Sequence, residues 1–248
     1  MPAIFQNFTK GLVQTSLGSV DPRATTATEE YTLGTELIKK DQKWRYCKNG
    51  SVELAPGKLV QASLPVATHT SLAPAVTPVG SLTVTISDIG AAGATADQYA
   101  GGFLQVEDGA GEGFMYRIAS HPAAVGNASL VITLEEGLKV AFDADTDLGL
   151  VANPWSGAIL GVTGMTSHLL GVPTATVAAN NYFWAQVSGP CSVLAQGALT
   201  VGLAAVRSNG TDGAVESGAD GTDSQQAVGT VIQSAVNSEY GAIHLTLE

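Results

Sequence analysis

Residues 148–206 contain no Asp, Glu, Lys or Arg, giving 59 consecutive positions without a formal charge. A membrane-spanning helix needs about 20 predominantly apolar residues without interruption. This run is broken by Asn153-Pro154, Gly161, Gly164, Gly171-Val172-Pro173, Asn180-Asn181 and Gly189-Pro190. Breakers at that interval are the turn signals that separate short strands. The run therefore predicts several strands buried in protein, and no membrane segment.

The rest of the chain supports an all-β reading. Ser81-Leu82-Thr83-Val84-Thr85-Ile86-Ser87 alternates strictly, with Leu82, Val84 and Ile86 on one face. Residues 103–106 and 114–118 flank a Gly-rich turn at 107–113 and predict a hairpin. Further short β-branched segments lie at 129–134, 138–142, 158–162, 182–187, 191–195, 198–203, 227–232 and 242–247. This spacing predicts a short-strand β-sandwich or barrel body, divisible into two small β-modules. Three prolines, Pro65, Pro74 and Pro78, interrupt an Ala/Val/Thr/Ser stretch and predict a linker. The expected organisation is an extended N-terminal arm over 1–64, a Pro-rich linker over 65–80, and β-modules over 81–165 and 166–248. An acidic Gly/Ser-rich exposed loop is expected at 208–226, where composition cannot bury enough apolar surface.

Charge divides along the same lines. Lys and Arg number 11 against 22 Asp and Glu, a net charge of −11. Residues 1–58 nevertheless hold eight cations and six acids, so a slightly basic arm precedes an acidic body. The overall sign argues against nucleic-acid binding driven by basicity. The opening residues lack the basic and apolar regions of a secretion signal, and the two cysteines, Cys47 and Cys191, form no disulfide framework.

Motifs for catalysis are missing at the level of sequence. His69, His121, His168 and His244 have no metal-ligand spacing, and strand alternation places His244 on the face opposite Ile243 and Leu245. There is no Gly-x-Ser-x-Gly, and Gly109-Ala110-Gly111-Glu112-Gly113 reads as a turn rather than a phosphate cradle. Asp143, Asp145 and Asp147 fall at positions 1, 3 and 5 of a calcium loop. Leu148 and Pro154 stand where that loop needs Gly and Glu, so an acidic turn is expected. No cofactor, metal or catalytic residue is expected. The densest local feature is Lys39, Lys40, Lys43, Trp44, Arg45, Tyr46 and Lys48, five cations and two aromatics within ten residues. Three readings stay open: a strand with inward Trp44 and Tyr46 and a solvated basic face, a docking element for an acidic protein surface, and a single-stranded nucleic-acid platform.

Three groups of segments carry a resemblance. Tyr31-Thr32-Leu33-Gly34-Thr35, residues 42–48 and Leu54-Ala55-Pro56-Gly57 form the first. Residues 113–118, 131–134 and Ala152-Asn153-Pro154-Trp155 form the second, and residues 172–194 with Val228-Gly229-Thr230-Val231 the third. Together they resemble tailed-bacteriophage head-associated structural proteins, including capsid decoration (cement) proteins. The resemblance spans most of the chain and contains no active-site signature. It implies a non-enzymatic virion protein, made in the host cytoplasm and placed on the outer face of an icosahedral capsid. It would bridge capsomers there as a homotrimer. The implied partners are the major capsid protein and copies of the same chain, with no membrane and no specific nucleic acid. Capsid-contact candidates are then Lys39, Lys40, Lys43, Trp44, Arg45, Tyr46 and Lys48, on an arm separable from the body. The alternative is a tail, fibre or glycan-binding receptor module, which would need Trp155 and Trp184 exposed in a groove. The uncharged 148–206 run is expected to supply part of a homo-oligomeric interface.

Overall fold

The computed structural model describes residues 12–13 (backbone only), 20–164, 166–218 and 225–248. Sixteen strands run through them. In chain order they begin with β1 (Leu12–Val13), β2 (Glu36–Lys39), β3 (Gln42–Lys48), β4 (Val60–Gln61), β5 (Thr83–Ile86), β6 (Phe103–Asp108), β7 (Met115–Ser120) and β8 (Leu130–Leu134). They continue with β9 (Asp147–Val151), β10 (Ile159–Leu160), β11 (Leu169–Pro173), β12 (Tyr182–Leu194), β13 (Ala204–Arg207), β14 (Val215–Ser217), β15 (Ala227–Gln233) and β16 (Tyr240–Thr246). The fold is all-β, as the alternation and turn spacing predict. Among the described residues no helix is long and apolar enough to cross a membrane.

The chain forms two compact units, and their boundaries differ from those drawn on composition. One unit is the continuous segment Leu64–Asn153; the other combines Met1–Ser63 with Pro154–Glu248. The first thus takes in the proposed linker, and the second joins the proposed arm to the C-terminal module.

In the unit Leu64–Asn153, strands follow the order β5-β8-β7-β6-β9. The Pro-rich stretch closes this sheet. Leu72 bridges Leu148 in β9, and Pro74 bridges Ile86 in β5. Ala75 N–H donates to Thr85 O, and Ser87 N–H to Ala73 O. Both free edges are thereby covered and the sheet becomes a small barrel. Proline has no N–H to donate, so this segment forms isolated bridges rather than a continuous ladder. Leu72, Val84, Ile86, Leu104, Tyr116, Ile118, Ile132 and Leu148 fill the interior. The β6–β7 hairpin turns through Gly109, Gly111 and Gly113, all at positive φ. Residues 138–142 do not form a strand; Phe142 makes only a bridge to Thr77.

The other unit is organised by β12, whose 13 residues span two neighbourhoods. Its first half pairs with β3, its second half with β16, and β11 joins at Ala185 and Gln186. The main path runs β1-β2-β3-β12-β16-β15-β13-β14. It then returns on itself, because Val215 of β14 bridges Ala195, the residue after β12. The resulting ring encloses Cys191, Val193, Ala205, Val215, Val228, Val231, Ile243 and Leu245. Around the first half of β12 both sheet faces are covered. Phe183 and Ala185 pack with Cys47, Val60 and Leu170, while Trp184 packs with Trp44, Tyr46 and Leu37. A strand buried on both faces has no place for charge. That accounts for much of the uncharged run: residues 169–173 are all buried, as are 183–187. These side chains are consumed within one chain, not held in reserve for an interface.

The basic, aromatic segment is β3, in the interior of this sheet. It is not a detached arm. Residues 1–11 and 14–19 of the expected arm lie outside the described residues. Within the expected loop 208–226, Ser208, Ala214 and Val215 are buried and Val215–Ser217 pairs with β13; residues 219–224 lie outside the described residues.

Candidate functional site

Alternation along β3 sorts its side chains. Trp44 and Tyr46 are 3% and 2% exposed and face an aromatic cluster. The Tyr46 ring lies 5.0 Å from Trp184, 5.2 Å from Tyr31 and 5.8 Å from Tyr182. Aromatic pairs at such distances contribute about 0.5–1.5 kcal/mol beyond area burial. Its hydroxyl accepts from Glu30 N–H at 3.1 Å, and burial raises its pKa. Tyr46 is therefore a core residue with no surface to offer a partner.

Arg45, on the opposite face, is neutralised within the fold. Its guanidinium contacts Glu248 at 2.5 Å and Glu36 at 3.3 Å, donates to Gly34 O, and lies over the Trp155 ring. Lys48 lies over the Tyr182 ring, 5.5 Å from its centroid. Trp155 is thus engaged by Arg45, and Trp184 is 3% exposed. Trp155 itself is half-buried.

The cations left to solvent gather at the β2–β3 hairpin. Residues 39 and 42 pair across a two-residue turn, with Lys40 at φ 55. Lys40 is exposed, and Lys39 and Lys43 are half-buried. Beside the hairpin opens a cleft of about 750 Å³, a volume suited to a drug-sized ligand or a short peptide stretch. Six parts of the chain build it. Asp21, Pro22 and Arg23 form one wall, Lys39, Lys40, Gln42 and Trp44 another; Pro56 and Gly57, residues 172–174, and Gln186 with residues 190–192 and Tyr240 complete it.

The geometry of these walls is fixed by local chemistry. Asp21 Oδ1 accepts from Arg23 N–H at 2.9 Å, closing the first turn, and Thr174 Oγ1 donates to Pro22 O at 3.1 Å. Lys39 Nζ donates to Val20 O. Gln42 and Gln186 both donate their amide N–H to Pro190 O at 2.8 Å, tying β3 to β12 across the floor. Gly57 sits at φ 71 under the Tyr240 ring, where a Cβ would lie 2.5 Å from Cε1. Only glycine fits there. Cys191 also lines the cleft, but burial pushes its thiol up to about 12. The Cys47 thiol is raised further by burial. Both remain protonated at neutral pH and are poor nucleophiles.

Charge gives the cleft a binding character. Arg23, Lys39 and Lys40 face one acid, Asp21, in a protein of net charge −11, and none of the three cations makes an ion pair among the described residues. Trp44 Nε1–H is buried without a hydrogen-bond partner. A buried donor left unpaired costs about 1–3 kcal/mol, a cost set against the packing of Trp44 with Val20, Leu37, Tyr46 and Trp184.

Of the residues singled out on sequence, the cleft unites Lys39, Lys40 and Trp44 and excludes Lys43, Arg45, Tyr46 and Lys48. Arg23, Gln42, Gln186 and Tyr240 had no local signal, since pairing of distant strands assembles them. In the other unit, His69 and His121 are buried on either side of Tyr99, which motif spacing also did not reveal. No group of three or more metal-ligating side chains occurs among the described residues; Asp143 Oδ1 instead accepts from Asp145 N–H and Thr146 Oγ1–H within its own turn. Comparison with known proteins found no matching family model, no matching curated protein and no matching solved structure.

Proposed function

We propose that this chain is a structural protein of a tailed-phage virion that decorates the icosahedral head and stabilises it by bridging capsomers, as a homotrimer and without catalysis of its own. The observation that carries the reading is the placement of charge. An acidic, all-β scaffold presents Arg23, Lys39 and Lys40 together at one cleft beside a tight hairpin. A docking protein needs a rigid frame and a local patch of complementary sign. The resemblance of residues 31–35, 42–48, 54–57, 113–118, 131–134, 152–155, 172–194 and 228–231 to head-associated proteins supports the same role, and the protonated, buried thiols suit a non-catalytic chain. Trp44 and Tyr46 then act as the internal support of the docking hairpin, while the lysines make the contact.

Quantitative mass spectrometry of purified virions, with cryo-EM of the heads, tests this. Stoichiometric copies on the outer head surface are expected, with occupancy reduced in a Lys40→Glu variant. Absence from the virion, or location on the tail alone, overturns it.

A further inference from the structure

The outward face of the C-terminal ring carries no charge. Register sets its solvent side in rows, because residues paired across antiparallel strands share a face. Pro190 of β12 pairs with His244 of β16, His244 with Thr230 of β15, and Thr230 with Ala204 of β13; all four are exposed. The next row is Ser192, Ala242 and Gln233. Strands β12, β15 and β16 contain no Asp, Glu, Lys or Arg, and Arg207, the one such residue of β13, is buried. Apolar side chains add to the patch. Ile232 and Tyr240 are exposed on β15 and β16, and Val201 and Val236 in the loops beside them. Gly202 N–H donates to Val231 O, which holds Val201 alongside Ile232. The β2–β3 side of the same unit differs: there Glu36 pairs with Arg45, and Arg45 reaches Glu248.

We propose that this face, the outer side of β12, β13, β15 and β16, is where copies of the chain meet. The charge of the whole protein selects that partner. At a net charge of −11, two copies repel wherever their acids approach, and like-charge contact at an interface is costly. A neutral face removes that cost, and the centre of a protein contact is where charged residues are depleted. A basic partner would instead gain most from the acidic surface elsewhere. Four strands spaced about 4.8 Å apart, with about seven residues each rising 3.4 Å, give a footprint of about 450 Å². Side-chain relief and the Val201 and Val236 loops bring it toward the range of weak specific interfaces, about 600 Å² per partner. Association in the micromolar range follows. The inference rests on the homotrimer reading above for the number of copies alone; the face rests on charge and exposure.

The test is sedimentation equilibrium of the full-length protein between about 1 and 100 µM. Pro190, Ser192 and Tyr240 also border the cleft, so the variants are placed on β13 and β15. Ala204→Glu and Thr230→Glu each add one acid at an exposed position of the face. Thr83→Glu adds the same charge at an exposed position of the other unit. The wild type is expected to associate, and each face variant to weaken association about tenfold or more, with the circular dichroism spectrum unchanged. Two face variants on different strands keep the test informative if one fails to fold. Thr83→Glu is expected to associate as the wild type does. A monomer throughout, an oligomer indifferent to both face variants, or equal weakening by Thr83→Glu each overturns the proposal. A trimer indifferent to both keeps the homotrimer and removes the face. A dimer dissolved by both keeps the face and removes the homotrimer, and association through this face by a protein absent from virions removes the head role alone.

Discussion

At the scale of single residues, burial decides what each side chain can do. His69 in the barrel unit is fully buried, its Nδ1 bonded to the Tyr99 hydroxyl, with Nε2 unpartnered. Desolvation lowers its pKa below the ordinary 6.5. In the unfolded chain the imidazole takes its proton near pH 6.5, while the folded one takes it only at lower pH. Between those two values the unfolded state binds more protons, so stability is full above about 6.5 and falls on acidification, by at most about 1.4 kcal/mol per pH unit for this group. Urea unfolding of this unit at pH 7.5 and at pH 5 is expected to show that loss. A His69→Gln variant, which keeps a partner for Tyr99, is expected to flatten the slope. The same principle sorts β3: one residue apart, Arg45 reaches carboxylates and Tyr46 reaches rings.

At the scale of elements, β12 shows what could and could not be read from sequence. Its two ends were legible as separate strands, 182–187 and 191–195, because both are β-branched or aromatic. Their union was not, since Gly189-Pro190 has the composition of a turn. In the fold, Gly189 instead marks the point where β12 passes from β3 to β16, at φ 88 and with Asp41 O 2.3 Å from where a Cβ would be. A Gly189→Ala variant is expected to lose about 1–3 kcal/mol for the backbone conformation alone, seen as a lower urea midpoint with an unchanged m-value. The proline segment departs from a linker for a similar reason. Composition marks 65–80 as unable to form a ladder, and it forms none, yet isolated bridges suffice to close a barrel. Strict alternation at 81–87 and the Gly-rich hairpin at 107–113 were legible because they are local. The cleft was not, because six separate chain segments meet there.

At the scale of the whole molecule, the division into units replaces the picture of an arm ahead of a body. Residues 64–153 contain a closed sheet with its own core, and this segment expressed alone is expected to give a β-type circular dichroism spectrum and one cooperative melting transition. Removing residues 1–58 is expected to have the opposite character. It strips β2 and β3 from β12 and exposes Trp184 and Phe183, so the truncated protein should show increased dye binding and lose the dispersed spectrum of the second unit. A folded second unit in that truncation would restore the view of the N-terminal region as a separable arm.

Sequence order then sets a timetable for synthesis. The strand at Gln42–Lys48 pairs at once with Glu36–Lys39, but finds its second partner only at Tyr182–Leu194, which in turn pairs with Tyr240–Thr246. The intervening barrel is built from one continuous stretch of 90 residues, Leu64–Asn153. At translation rates of about 5–20 residues per second, the barrel segment is complete roughly 5–20 s before the final strand emerges. The hairpin of Glu36–Lys39 and Gln42–Lys48, with its tryptophan and tyrosine, must wait through that interval with one edge open, until Tyr182–Leu194 covers it.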